Sequence, residues 1–190
     1  MFPRTIALEA AANLGKALKP VVYRMEACAD LRRELATLGR IEFVIETPDR
    51  EPVIKAMKSV GWSKPKPICG PLVFPRANFD EDPRFPEAVI RVAHSEEHDL
   101  LEVTSHGNFE VLLFLCTGTG SFHSAMNDRI NEMGLVMRPA QGLFRGATLV
   151  AWTEVDIFRN LGLRFIPPAE RDCGRLGLRS WIIPPTEGAA

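Results

Sequence analysis

An excess of charge of either sign is missing from this sequence: 23 Lys and Arg stand against 24 Asp and Glu, a formal net charge of −1. That balance argues against a strongly cationic nucleic-acid binder, while leaving room for a local basic stripe. No apolar run approaches the ~20 residues that span a bilayer. The opening stretch, "MFPRTIALEAAANLGKALKP", lacks the compact apolar block and cleavage site of a signal peptide and reads as part of the fold. There is no C-x-x-C pair. Cys28, Cys69, Cys116 and Cys173 are scattered and share no metal-ligand spacing with the four histidines. Reduced, mostly buried thiols in a cytoplasmic protein are the expectation. Internal repeats and low-complexity tracts are also missing.

What is present is 190 residues with 46% hydrophobic content, enough for one core of good size and a small second lobe. Residues 4–18 read as a helix, with Ala7, Ala11, Leu14 and Leu18 along one face and Pro20 as its stop. "VVYRMEACA" reads as a strand. "RIEFVIE" reads as a second, with Ile41, Phe43 and Ile45 on one face and Glu42 and Glu46 on the other. "TPDREPVIKAMKSVG" offers a Thr47 cap, Pro48 at the first helical position, apolar Val53, Ile54, Met57 and Val60, and a Gly61 stop.

Residues 64–86 are rich in proline and read as an irregular loop or hairpin insert. "AVIRVA" and "DLLEV" read as strands flanking an acidic turn. "NFEVLLFLCTG" fits helix or strand equally by periodicity. In "SFHSAMNDRINEMG", Phe122, Met126, Ile130 and Met133 recur at helical spacing before Gly134. "LVMRPAQGLFRGATLVAW" reads as a hairpin turning at Pro139 to Gly142. "TEVDIFRNLG" carries a Thr153-to-Asp156 capping signal ahead of apolar Val155, Ile157, Phe158 and Leu161. "FIPPAERD" reads as extended and proline-rich, and the chain after Cys173 as extended, ending in a loose tail. Strands dominate the first half and helices the second, which gives the class α+β with a small helical C-terminal lobe.

Several of these segments, in order, resemble the family X DNA polymerases, above all the short palm-plus-thumb forms of bacteria and phages. "CADLRRELATLGRIEFVI" is similar, without a gap, to that family's Gly-Ser-x-Arg-Arg … Gly-Asp-x-Asp/Glu motif. Arg32, Arg33 and Gly39 match, and Glu42 stands at the second acid. Ala29 and Asp30 replace Gly-Ser, and Arg40 replaces the first Asp. "HDLLEV" resembles the strand of the third carboxylate, which would be Asp99. "CTGTGSFHSAMNDRINEMG" resembles the Thr-Gly-x-x-x-Phe helix that approaches the nascent base pair. "EVDIFRNLGLRFIPPAERD" resembles the closing signature, an acidic-start helix followed by Pro-Pro-x-x-Arg. The likeness runs over roughly residues 5–172.

The resemblance implies an α+β fold: a nucleotidyltransferase-like palm, a mixed β-sheet with flanking helices, over 1–116 with the insert at 64–86. A small helical and hairpin thumb-like lobe over 117–173 and an extension over 174–190 follow. It implies Glu42 and Asp99 as catalytic acids and ligands of Mg2+ or Mn2+, and Arg32, Arg33, Thr117, Gly118 and His123 as nucleotide- or phosphate-binding residues. In such enzymes the metal ions align a 3′-hydroxyl with an α-phosphate and neutralise charge in the transition state.

The substitutions run against that chemistry. Mg2+ takes oxygen ligands in near-octahedral geometry, and Arg40 supplies none while keeping its charge at any relevant pH. Asp30 puts a carboxylate where a backbone turn and a hydroxyl would face phosphate oxygens. Asp30 and Arg40 are also candidates to pair with one another.

Plainer readings stand beside these. Glu42 and Glu46 alternate on a strand face as solvated residues do. Asp99 lies in "SEEHD", an acidic turn, bracketed by His94, His98 and His106 at no recognised metal spacing. Arg32 and Arg33 serve equally as surface charge, and His123 as a cap or groove-facing residue. Thr117–Gly118–Thr119–Gly120 is a tight turn, and Phe122, Met126 and Ile130 are core. The leading expectation is a degenerate family X-like protein, a non-catalytic accessory subunit of a phage-type replication or repair assembly. It binds nucleic acid, DNA before RNA, or a replication or repair protein, and no membrane. The alternatives are an active nucleotidyltransferase using Glu42 and Asp99 with help from Glu46 or Glu26, and a protein-interaction module contacting partners through residues 64–86 and "WIIPP".

Overall fold

The structure is a computed structural model and describes residues 1–63, 72–75, 87–94, 109–139 and 141–184. Its first half is built on a four-stranded mixed sheet. β1 (Phe2–Pro3) leads into α1 (Arg4–Leu18), followed by β2 (Arg24–Ala27), a single helical turn α2 (Ala29–Arg32) and β3 (Thr37–Leu38). β4 (Ile41–Thr47), α3 (Arg50–Ser59), β5 (Leu72–Pro75) and β6 (Glu87–His94) complete it. The strand order is β2-β4-β6-β5, with β4 and β6 parallel and the outer pairs antiparallel. β1 and β3 form a separate two-stranded ribbon.

β4 is apolar and β-branched because both its faces are covered. Ile41, Phe43 and Ile45 pack with Ala7, Leu14 and Leu18 of α1 and Val53 and Met57 of α3. Val44, on the opposite face, packs with Ala93, Phe109 and Leu113, the last two from α4 (Phe109–Leu115). The polar face expected for this strand is therefore a second core, and Glu42 is buried in it rather than solvated.

The second half holds α5 (Gly120–Glu132), the three-stranded sheet β7 (Val136–Arg138), β8 (Gly142–Arg145) and β9 (Thr148–Ala151), then α6 (Glu154–Asn160) and α7 (Arg175–Leu178). Phe122, Met126 and Ile130 of α5 and Ile157 and Phe158 of α6 share one core with Val111 and Phe114 of α4. The expected single hairpin is thus a three-stranded meander, its second turn made at Gly146 with φ +60°.

Three further local differences have clear causes. α3 is capped by Asp49, which accepts from the Glu51 N–H at 2.9 Å, because the Thr47 hydroxyl instead donates to the Asp49 carbonyl at 2.9 Å. α6 begins as expected, with the Thr153 hydroxyl accepting from Asp156 N–H at 3.1 Å, but Val155 faces solvent and Glu154 is buried. The chain after Cys173 is not extended: α7 and a 3-10 turn at Arg179–Trp181 fold back, and Ile182 bridges Leu163. The strand expected at "DLLEV", the acidic turn before it and most of the proline-rich insert lie outside the described residues. Among the described residues no helix is long and apolar enough to cross a membrane.

Candidate functional site: a cleft beside β4

A cleft of about 600 Å³ opens between the start of β4, the α2 turn and the start of α5. Glu42 lies at its floor, 4% exposed. A carboxylate buried on a sheet face must find charged or hydrogen-bonding partners. Arg40 Nε donates to Glu42 Oε1 at 2.6 Å, and Arg91 Nη2 donates to Oε2 at 2.9 Å. The first contact follows from strand alternation, which puts residues two apart on one side. The second follows from the ladder: Arg91 of β6 stands in register with Val44 of β4, so its side chain rises on the face that carries Glu42. Arg40 is 51% exposed and Arg91 28%. The partner anticipated for Arg40 was Asp30. Asp30 instead meets Arg33 Nη1 at 3.5 Å, one helical turn along its own helix.

The α2 turn has lost its easy geometry. Ala29 sits at φ +49°, where a Cβ is strained, and its N–H donates to the Cys116 carbonyl at 2.9 Å. On the far wall, Gly118 at φ +150° admits no side chain, since a Cβ there falls 2.4 Å from Phe122 Cδ1 and 3.2 Å from His123 Nε2. His123 lines the cleft from the first turn of α5. Burial, then the charges of Arg171 and Arg33, push its pKa below the ordinary histidine value, so it is neutral at pH 7.

Arg32 takes no part in the cleft. Its guanidinium forms a paired contact with Glu154 at 2.9 and 2.6 Å and a third bond to Thr117 Oγ1 at 3.3 Å. Arg171 Nη1 donates to the same Glu154 at 2.6 Å and Arg171 Nε to the Ile166 carbonyl at 3.0 Å. Arg171 is wholly buried, its guanidinium 5.1 Å from the Phe158 ring centre and 5.4 Å from that of Phe165. Burial works against the Glu154 charge, but its bonds to Arg32 and the nearby Arg171 outweigh that and hold its pKa below the usual glutamate value. This triad joins α2 to α6 and to the closing Pro-Pro-x-x-Arg segment. Thr117 is buried behind it.

Of the residues singled out from sequence, Glu42, Gly118 and His123 line the cleft, with Arg33 beside them; Arg32 and Thr117 belong to the Glu154 triad. Asp99, His98 and His106 lie outside the described residues, and His94 ends β6. Arg91 was not anticipated, although a lone arginine in the apolar strand "AVIRVA" signals a buried partner.

The described residues do not fit a pair of Mg2+ or Mn2+ ions. Both Glu42 oxygens are taken by guanidinium groups, and among the described residues no three His, Cys, Asp or Glu side chains converge. The arrangement suits an anion. Two arginines serve one carboxylate, and among the described residues buried Arg33 Nε and Arg91 Nε have no hydrogen-bond partner.

A family model, the DNA polymerase beta thumb, matches residues 112–172, the stretch from within α4 through Asp172. The chain is also similar to DNA polymerase lambda of Rattus norvegicus, with 27% identity over 168 residues. That match covers 77% of this chain and 28% of the rat protein, so the chain spans well under a third of the length of the relative it matches.

Proposed function

From the premise that this chain is a family X DNA polymerase-like protein with a thumb of the polymerase beta kind, we propose that it is a non-catalytic relative. It binds nucleotide or DNA phosphates and acts as an accessory subunit of a replication or repair assembly. In this reading residues 1–116 are the palm-like unit, 117–173 the thumb-like lobe and 174–190 an extension. The observation that carries it is the double clamp on Glu42.

A two-metal centre needs carboxylate oxygens free to face the ions. Here Arg40 and Arg91 occupy both oxygens of Glu42. A unit charge repels another by roughly 4 kcal/mol at 4 Å with an effective dielectric near 20, and a dication doubles that. The same two guanidinium groups hold phosphate oxygens well, through planar paired N–H donors. The residues that oppose metal ions thus favour their own direct contact with an anion. Neutral His123 and the Gly118 backbone form the opposite wall, where a base or sugar edge can lie without an added charge.

Primer extension and terminal transfer, each with Mg2+ and with Mn2+, test the reading. The wild type is expected to be silent while still retarding DNA, with an affinity that falls steeply as salt rises. Combining Arg40→Asp with Asp30→Ser is expected to free Glu42 Oε1, add a second carboxylate beside it and restore measurable transfer, while Arg91 keeps Oε2. Transfer by the wild type that Glu42→Gln or Asp99→Ala abolishes would mean an active nucleotidyltransferase. Silence together with no DNA or nucleotide binding would move the weight to a protein-docking module.

A further inference from the structure

Two thiols meet at the back of the cleft. Cys28 ends the segment after β2, and Cys116 follows α4. The fold brings these distant positions side by side through the backbone. Ala29 N–H donates to the Cys116 carbonyl and Cys28 N–H to the Glu42 carbonyl, each at 2.9 Å. Both side chains pack in one core with Val44, Ala93, Phe109 and Leu113. Neither is in a disulfide. The two differ in access. Cys28 is fully buried, whereas Cys116 lines the cleft, with the Arg91 guanidinium close enough to act on its charge.

We propose that Cys28 and Cys116 form a reversible oxidation site, in which a hydroperoxide entering the cleft converts the two thiols to a disulfide. Cys116 is the attacking sulfur because it alone of the two reaches the cleft, and a positive neighbour is what makes a partly exposed cysteine reactive. As thiolate it attacks the outer peroxide oxygen. The O–O bond breaks, the leaving oxygen takes up a proton as water or alcohol, and Cys116 becomes a sulfenic acid. Cys28 then attacks that sulfur. The S–O bond breaks, the Cys28 proton leaves with the hydroxyl as water, and the S–S bond forms. One peroxide is reduced by two electrons and the thiol pair is oxidised by two. A dithiol reductant reverses the step by exchange.

The cross-link ties the strained Ala29 turn to the Thr117–Gly118 turn, the two backbone segments that border the cleft on either side. The site concerns these thiols alone and stands whether or not the cleft transfers nucleotides.

The experiment uses the full chain treated with hydrogen peroxide, quenched by an alkylating reagent and digested with trypsin. The expected product links peptides 25–32 and 92–129 through Cys28 and Cys116, and dithiothreitol releases it. Cys173 and Cys69, the latter outside the described residues, remain alkylatable at the same dose. Cys28→Ser is expected to halt at a Cys116 sulfenic acid trapped by a dimedone-type probe, and Cys116→Ser to leave Cys28 unoxidised. The proposal is overturned if Cys173 or Cys69 oxidises before the pair in the wild type. It is also overturned if Cys116 proceeds to sulfinic acid with no linked peptide. Both readouts need only the wild type, so a variant that fails to fold does not decide the matter.

Discussion

Glu42 and Glu154 are both buried acids held by two arginines, yet the arginines differ in what remains to them without the acid. Those around Glu42 border the cleft, with 51% and 28% of their side chains exposed, so water can take over their hydrogen bonds. Those around Glu154 are 18% and 0% exposed, and Arg171 is enclosed by aromatic rings with one nitrogen already without a partner among the described residues. The number of bonds is similar; the fate of the surviving charge is not. The lesson is that a carboxylate–diarginine cluster at a cleft mouth remains available to a ligand, while the same cluster inside joins two parts of the chain.

Removing each acid breaks the comparison most directly. Glu154→Ala strands a wholly buried cation and is expected to cost about 3–5 kcal/mol, as loss of one partner of a buried ion pair does. Glu42→Ala lets its arginines turn to water and is expected to cost about 1.5–3 kcal/mol, the range for hydrogen bonds to a charged group. Urea denaturation followed by tryptophan fluorescence checks both, since Trp62 packs in the sheet core and Trp181 against the α5–α6 core. Equal losses for the two variants would show that solvent access does not separate the clusters.

Acid sharpens the contrast through ionisation. His123 is held below its ordinary pKa of 6.5, so the unfolded chain binds that proton first as pH falls. Stability is therefore lost on acidification through and below that value. Glu154 is also held below its ordinary value, 4.5, so its contribution is full above that pH and is lost as pH falls further. Two steps of the same sign are expected, the first near His123's range and the second in the carboxylate range. His123→Gln is expected to flatten the first step only, read from denaturation midpoints across a pH series.

Much of this fold was legible in the sequence, and the reasons are local. α1, α3, α5 and α6 carry periodic apolar faces, and Thr153 supplies a cap that neighbouring residues alone determine. β4 was placed correctly, but its polarity was misread. Alternation of Ile41, Phe43 and Ile45 with Glu42 and Glu46 implies a wet face only if nothing covers it, and α4, some 65 residues on, does. The cleft shows the same division. The loss of an acid at Arg40 is visible in the string "GRIEF", while Arg91 and the thiol pair depend on strand register and on a contact between distant turns. The extended reading after Cys173 failed because tertiary packing of Leu178, not propensity, fixes that helical turn.

A milder cut within the Glu42 cluster is Arg40→Ala. Arg40 is half exposed and Arg91 still holds the other oxygen, so the expected loss of stability is about 0–1 kcal/mol, the range for exposed ion pairs. Anion binding responds more than folding does. Retention of phosphate or nucleotide by the cleft, followed by isothermal titration with pyrophosphate, is expected to weaken several-fold, and an unchanged affinity would remove Arg40 from the binding surface.

The smallest expected effect lies in the turn that connects the two clusters, since α2 carries Ala29 and Asp30 at the cleft and Arg32 at the Glu154 triad. Ala29 at φ +49° carries a left-handed penalty of about 1–2 kcal/mol that glycine avoids. Glycine in turn adds unfolded-state freedom, which costs about 0.4–1 kcal/mol. The balance predicts that Ala29→Gly stabilises the chain by roughly 0.5 kcal/mol. The change leaves the Ala29 N–H bond to Cys116 in place, so a loss of stability in the denaturation series would mean that the methyl group packs in a way its backbone angle does not reveal.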